Sequence, residues 1–427
     1  MLLKKKYLLS LVSIIALSCS STAPSRFSSV DIPEDIFGIV HAGRTNTHEE
    51  YLFLDELGAK WQLNTFYWGS IEREKGHFDF SGYDTYVDTA KQEGRKIVVV
   101  LGYEIPWLFP DGKQKRYISP ENTPHYLHFV EETVRHFRGR IDAWAIWNEP
   151  NFLNWKGPKK DFFEFSRLAA IKIRETDPNA YILGGSFTRA PRGFIKAMHK
   201  AGAMENLDGL SFHPYALNPS GSIRICDNFL DIMSEINFTG DTWITEVGYP
   251  TGGWYPTRVS LKKFPAYVVK TLAGAAIRKP KAVLWYHLFD WKNDGEISRF
   301  SNSSECFFGL AYPNHQRKDA AWAYQLCAAY LPGSVYTGDY PIRERIPKNI
   351  VSLCFLKNPS GDNTLILWNN GVGRQKIMLN LPDPAFIHTI STGEKTPLKT
   401  ETVLDIGSTP LFITWQGDTM PRLSRQK

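Results

Sequence analysis

Between residues 35 and 290, short apolar runs recur with just enough chain between them for a helix, and this alternation constrains the fold more than any other feature. The runs are Phe37 to His41, Lys60 to Phe66, Lys96 to Leu101, Ala143 to Trp147, Tyr181 to Gly184, Gly209 to Phe212, Thr242 to Thr245 and Ala282 to Leu288. Most are continuously apolar rather than alternating, as expected of parallel strands buried on both faces. Helical patterns fill the gaps: Tyr83 to Glu93, Thr123 to Phe137, Lys160 to Thr176, Gly193 to Ala201, Asn228 to Asn237 and Leu261 to Ile277. Thr123-Pro124 opens one of them with proline at a tolerated first-turn position, and Asp177-Pro178 stops another. Eight strands with intervening helices predict an α/β fold, a closed (β/α)8 TIM barrel of about 250 residues.

The chain has 427 residues, so a second domain fits beside the barrel. After Tyr330-Leu331-Pro332-Gly333 the runs become short and lie between Gly-, Pro- and Asn-rich turns. Ile350 to Leu356, Thr364 to Trp368, Gln375 to Leu379 and Leu411 to Trp415 predict a C-terminal antiparallel β-sandwich packed against the barrel. The expected division is a signal segment over 1–19, a tether over 20–34, the barrel over 35–332, the sandwich over 333–417 and a tail over 418–427.

Lys4, Lys5 and Lys6 precede an apolar stretch from Tyr7 to Leu17 that is short for a membrane span, followed by Ser18-Cys19-Ser20-Ser21. This is the pattern of a bacterial export signal. Its end resembles a lipobox, which makes Cys19 the expected lipid attachment site of a periplasmic or cell-surface membrane lipoprotein; ordinary cleavage would give a secreted form. The formal charge of +6 shrinks when the leader's lysines are removed, and no basic patch for nucleic acid is implied. Cys226, Cys306, Cys327 and Cys354 form no CxxC pair and no metal-ligand spacing, so neither a metal nor a cofactor is expected. An oxidising compartment would allow up to two disulfides, and buried free thiols fit equally well.

Two apolar runs end in glutamate: Ala145-Ile146-Trp147-Asn148-Glu149-Pro150-Asn151 and Trp243-Ile244-Thr245-Glu246-Val247-Gly248. A carboxylate emerging from a buried strand costs free energy unless its charge or proton is used, and two suit acid and nucleophile in splitting an acetal. In barrel enzymes the active site lies at the carboxyl ends of the strands, so Glu149 after the fourth and Glu246 after the seventh would share one rim. Aromatic residues gather after the same strands: Trp68, Tyr103, Trp107, Phe152, Trp155, Tyr249, Trp254 and Tyr255. Rings can stack on the C–H faces of sugars, and with an aromatic content of 14% the distribution suits a long glycan cleft. Trp107, Trp155 and Trp254, in Gly- or Pro-containing loops, are the preferred binding candidates, with Trp68 beside them.

With these motifs the chain resembles the clan A glycoside hydrolases, which place catalytic glutamates after strands four and seven. Within the clan, the stretch from Gly58 through Trp68-Gly69-Ser70-Ile71-Glu72 to Phe80 is similar to family 39, which includes β-xylosidases and bacterial exopolysaccharide endoglycosidases. The resemblance covers roughly residues 35 to 332. It implies Glu149 as general acid/base, Glu246 as nucleophile and Asn148 as donor to the sugar 2-hydroxyl. It also implies that Tyr215 or His213, in Phe212-His213-Pro214-Tyr215, bonds the nucleophile. Trp285 matches a tryptophan that in this clan often carries a non-proline cis peptide beneath the sugar. His41 and His287 either line the sugar site or are core histidines. Many clan members place an arginine in strand two; Trp61-Gln62-Leu63-Asn64-Thr65 holds none, leaving Arg44 or Asn64 to substitute. The expected activity is retaining, endo-acting hydrolysis of β-glycosidic bonds in a polysaccharide or oligosaccharide. The alternatives are a non-catalytic glycan-binding barrel and a transglycosylase using the same site.

Overall fold

The computed structural model describes residues 29–41, 47–103, 106–109, 116–253, 258–292, 304–338, 347 and 349–425; Cys19, Arg44 and Trp254 lie outside them. Numbered along the chain, the strands begin with β1 (Val30–Asp31), followed by the barrel strands β2 (Phe37–Val40), β3 (Trp61–Tyr67), β4 (Lys96–Gly102) and β5 (Ala143–Ile146). The ring continues through β6 (Ile182–Thr188), β7 (Gly209–His213), β8 (Asp241–Val247) and β9 (Val283–Trp285), which pairs back onto β2. All eight expected strands are present. Their two-sided apolarity is explained by position: in β4, Val98 and Val100 fill the barrel interior with Leu63, Ala143, Ala145 and Leu284. Ile97, Val99 and Leu101 face the outer helices. Each such fully buried side chain contributes about 1.5–3 kcal/mol. Trp61 and Trp243 meet edge to face at 5.0 Å and plug the N-terminal end. A Cβ at Gly38 would lie 2.5 Å from that of Trp61, so glycine is what lets β2 pair there.

The helices are α1 (His48–Leu57), α2 (Trp68–Ile71), α3 (Ser81–Gln92), α4 (Thr123–His136), α5 (Lys159–Thr176), α6 (Arg192–Lys200), α7 (Pro219–Glu235), α8 (Phe264–Ala276) and α9 (Asp319–Tyr330). Three of them, α1, α2 and α9, were not expected from sequence. The first is signalled by its Thr47 cap, whose side chain accepts from the Glu50 N–H, and by Gly58, its left-handed C-cap. α7 starts at Pro219 rather than Asn228. Asn218 caps it by accepting from the Gly221 N–H at 2.9 Å, and Pro219 occupies the first turn, so Pro-Ser-Gly here opens a helix instead of making a loop.

The remaining strands are β10 (Val335–Tyr336), β11 (Ile350–Leu356), β12 (Asp362–Asn369), β13 (Gln375–Asn380), β14 (Ala385–His388), β15 (Lys395–Leu398), β16 (Glu401–Ile406), β17 (Leu411–Gln416) and β18 (Arg422–Arg425). They make a seven-stranded sheet, ordered β1-β10-β11-β12-β17-β14-β15, over a three-stranded one, β16-β13-β18. Two expected boundaries shift. The tether ends in β1, which pairs with β10, and the tail supplies β18. Alternation in the larger sheet divides its side chains. Cys354, Leu365, Leu367 and Ile413 face the three-stranded sheet, while Leu353, Phe355, Ile366 and Phe412 join the hydrophobic core of the barrel's helices. Cys226, Cys306, Cys327 and Cys354 are all free and buried, so the disulfide alternative does not hold.

Candidate active site

The Trp147-Asn148-Glu149-Pro150-Asn151 segment shows how a turn aims a carboxylate. β5 ends at Ile146, and Trp147 and Glu149 both take left-handed backbone angles, φ 63° and 48°. Non-glycine residues there cost on the order of 1–3 kcal/mol each, so neighbouring contacts must over-determine the turn. Trp147 is buried edge to face against Tyr103 and Trp155 and donates from Nε1 to the Asn154 carbonyl at 2.8 Å. The Glu149 N–H donates to the Ser186 carbonyl, and the Asn151 amide both donates to the Thr188 carbonyl and accepts from the Thr188 N–H, each at 3.0 Å. Trp147 thus anchors the turn in the core and Asn151 ties it to β6. Asn148 and Glu149 are left on the wall of an open pocket of about 2410 Å³ at the carboxyl-terminal mouth of the barrel.

Glu246, near the end of β8, faces the same pocket. His213 lies between the two carboxylates. Its Nδ1 is 2.9 Å from Glu149 Oε1 and 3.5 Å from Glu246 Oε2, and its Nε2 is 3.1 Å from Thr245 Oγ1. Tyr215 donates its hydroxyl to Glu246 Oε2 at 2.9 Å. Of the pair expected from sequence, Tyr215 therefore bonds Glu246 and His213 bonds Glu149. One oxygen of each carboxylate and a His213 nitrogen all lie within 4.8 Å of one another. That set could also hold a cation, but the bonds His213 makes through both ring nitrogens account for the trio without one.

Burial pushes Glu246 up to about 7; the Glu149 charge adds to this, and the His213 charge and Tyr215 hydroxyl only partly offset it. Burial also pushes Glu149 up, yet its bond to His213 and the imidazolium charge outweigh this and hold its carboxyl below the usual range. Burial lowers His213, but the Glu246 charge and the Glu149 bond together leave it raised. These directions favour protonation of Glu246 and His213 over Glu149, the reverse of the acid and nucleophile roles expected from sequence. The three titrate as one unit. The basic side chain held between the carboxylates is His213; of the two substitutes expected for a strand-two arginine, Asn64 lines the pocket wall and Arg44 lies outside the described residues.

The aromatic expectations need correction. Trp68 is fully buried, stacks on Phe129 and donates from Nε1 to Glu72 Oε2 at 2.5 Å. Trp107 packs edge-on against Trp68 and donates to the Glu72 carbonyl, and Trp155 is 5% exposed among Tyr117, Trp147 and Phe162. None of the three lines the pocket; their rings pack against the aromatic side chains of α4 and α5 instead. Trp285 is also buried, against Tyr249 and Phe264 on the outer face of β9. Alternation instead turns Tyr286 into the pocket, and the nearby cis peptide joins Tyr286 to His287 rather than following Trp285. His41 does line the pocket, edge to face with Tyr286 at 5.4 Å. His287 also lines it; burial lowers its pKa to about 3, and its Nε2–H donates to the Glu305 carbonyl at 3.0 Å.

Among the aromatic residues lining the pocket, which include Tyr103, the most exposed are Tyr67, Phe152 and Trp291, at 47%, 55% and 40%. Trp291 stacks on His287 at 4.8 Å with an interplanar angle of 3°. A third carboxylate, Glu305, also faces in, accepting from the Tyr286 hydroxyl at 3.1 Å, and burial raises its pKa. Nothing in the local sequence marks Glu305, whereas Trp291 could have been found as an aromatic closely following the eighth barrel strand.

No family model matches the chain. It is 27% identical over 169 residues to endo-1,4-beta-xylanase A of Thermotoga neapolitana, covering 34% of this chain and 15% of that protein. It is 23% identical over 214 residues to endo-1,4-beta-xylanase B of the same organism, covering 44% and 58%. The chain thus spans less than two thirds of these relatives' lengths. Among solved structures, a family 39 glycoside hydrolase from Bacteroides cellulosilyticus WH2 superposes with a TM-score of 0.73 at 20% identity, over 90% of this chain and 81% of that one. A monomeric beta-xylosidase from Caulobacter crescentus CB15 gives 0.64 at 14%, over 91% and 97%. A GH39 enzyme from Xanthomonas axonopodis pv. citri gives 0.63 at 12%, over 92% and 98%. The barrel with its appended sandwich is the fold of these family 39 structures.

Proposed function

We propose that the protein is a retaining glycoside hydrolase that cleaves β-glycosidic bonds within a polysaccharide, with Glu246 as nucleophile and Glu149 as general acid/base. The observation that carries this is the approach of the two carboxylates, with one oxygen of each within 4.8 Å, on one rim of the barrel. Retaining enzymes hold their carboxyl groups about 5–5.5 Å apart, whereas inverting ones leave about 6.5–9.5 Å for a water. In the first step Glu149 protonates the leaving oxygen while Glu246 attacks the anomeric carbon; in the second, Glu149 takes a proton from the water that releases the sugar. His213 Nδ1, within reach of both carboxylates, is positioned to give its proton to Glu149 and to take up the one on Glu246, so that Glu149 becomes the acid and Glu246 is ionised before it attacks. Tyr215 favours the ionised form of Glu246 by donating to it. Open walls bearing Tyr67, Phe152 and Trp291 support internal cleavage.

The xylanase and β-xylosidase relatives make β-xylosides and xylan the first substrates to try. Glu246→Ala should abolish turnover, and Glu149→Ala should slow it by about 10²–10⁴-fold on a substrate whose leaving group needs protonation. Azide should restore both, giving a β-glycosyl azide from the Glu149 variant and an α-glycosyl azide from the Glu246 variant. Near-wild-type turnover in either variant, or an inverted first product by NMR, would rule the assignment out. Export with lipid attachment at Cys19 is proposed from the leader residues alone. Cys19→Ala should abolish lipid labelling and move the protein from the membrane fraction to the soluble one; unchanged labelling would exclude Cys19.

A further inference from the structure

The pocket separates carboxyl groups from cations. Its centre is lined by Glu149, Glu246 and, from the segment after β9, Glu305, while Asp290 beside them is paired with Lys318 at 2.6 Å. The arc after β6 and β7 carries Arg189 and Arg224. Both arginines are exposed, and neither guanidinium has a hydrogen-bond or ion-pair partner among the described residues.

The backbone commits both side chains to this wall. Arg189 follows the last residue of β6, donates its N–H to the His213 carbonyl at 2.9 Å, and takes φ 62°, a left-handed conformation where glycine would be free of strain. The turn is held by the two bonds between Asn151 and Thr188, so the contact that supports Glu149 also sets the direction of Arg189. Arg224 lies on α7. Its helical spacing with Gly221, Ile225 and Asn228 puts all four on one face, and all four line the pocket. A guanidinium presents a planar fork of donors suited to a carboxylate or sulfate, and two of them on one wall, unpaired among the described residues, form an anion-binding arc.

We propose that Arg189 and Arg224 form a subsite for an anionic substituent, a carboxylate or sulfate ester, on the glycan that enters the cleft. The substrate class is thus an acidic polysaccharide, with the cleaved bond at the carboxyl-lined centre and the charged group on a flanking unit. This rests on the glycosidase reading for the position of the cleaved bond, but the subsite can be tested without turnover.

The test is affinity electrophoresis of the full mature chain through gels containing glucuronoxylan, its carboxyl-reduced form, carrageenan, or desulfated carrageenan. The wild type should be retarded at least about tenfold more strongly by one acidic polymer than by its neutral form, and the polymer that does so identifies carboxylate or sulfate. Arg189→Ala/Arg224→Ala should lose that difference while melting normally, and Lys262→Ala/Lys263→Ala, with the same net charge, should keep it. Retardation without hydrolysis of any glycoside would overturn the catalytic reading and leave the subsite standing. Equal retardation of the wild type by acidic and neutral forms would overturn the subsite, as would an equal loss in the lysine variant.

Discussion

The left-handed angles of Trp147, Glu149 and Arg189 concentrate backbone strain around one pocket, and the buried carboxyl of Glu246 adds an electrostatic cost. Burial raises Glu246 from 4.5 to about 7, so between those values the folded protein holds a proton that the unfolded chain has lost. The stability this proton contributes is complete below about pH 4.5 and is lost as the pH climbs through 7. Glu246→Gln, which needs no proton, should melt near the wild type at pH 4.5 and several °C above it at pH 8, as calorimetry across that range would show. A constant gap at all pH values would contradict a buried, titrating Glu246 carboxyl as the cause. Such a gain in stability with loss of function is the usual cost of a strained, charged site.

At the scale of elements, the strands and the loops that leave them follow different rules. A barrel strand is recognisable because both its faces are buried, and all eight were legible. A loop tryptophan is not, because whether its ring faces substrate or core depends on where the loop folds. Trp107 and Trp155 read as binding residues and pack inside, while Phe152, two residues beyond Pro150, emerges into the cleft. Phe152→Ala and Trp291→Ala should each reduce turnover of a polymer more than that of a short aryl glycoside, because remote stacking helps only when remote sugars are bound. Their stability should change little. Trp155→Ala should instead cost about 3–5 kcal/mol of stability through the cavity it leaves. Comparing the two rate ratios with melting curves tests both statements, and equal effects of Phe152→Ala and Trp291→Ala on the two substrates would remove these rings from the cleft's binding surface.

Over the whole molecule, the barrel's outer helices and one face of the larger sheet share a hydrophobic core, beside separate cores inside the barrel and between the two sheets. Tyr336, Leu353, Phe355, Ile366 and Phe412 belong to the same cluster as the residues of α8 and α9, and Lys270 of α8 lies 5.5 Å from the Trp368 ring. The N-terminal strand β1 closes the arrangement by pairing with β10. The protein should therefore unfold in one calorimetric transition, and a chain ending at residue 333 should be insoluble, since truncation uncovers apolar helix surface. Two well-separated transitions, or a soluble active truncation, would show the sandwich to be an independent unit.

What the sequence by itself determined was local or periodic. The apolar runs set eight strands, the strand-end glutamates marked one rim, and Pro-Gly-Asn turns announced the sandwich. Tertiary structure alone decided what depends on chains meeting: His213 between two carboxylates, Glu305 and Trp291 entering from the segment after β9, β1 and β18 completing distant sheets, and four cysteines buried apart. Periodicity reports how a segment buries its own faces. It carries no record of which distant segment will supply the charge, the ring or the hydrogen bond at a given point in space, and the chemistry of the pocket is set by those distances.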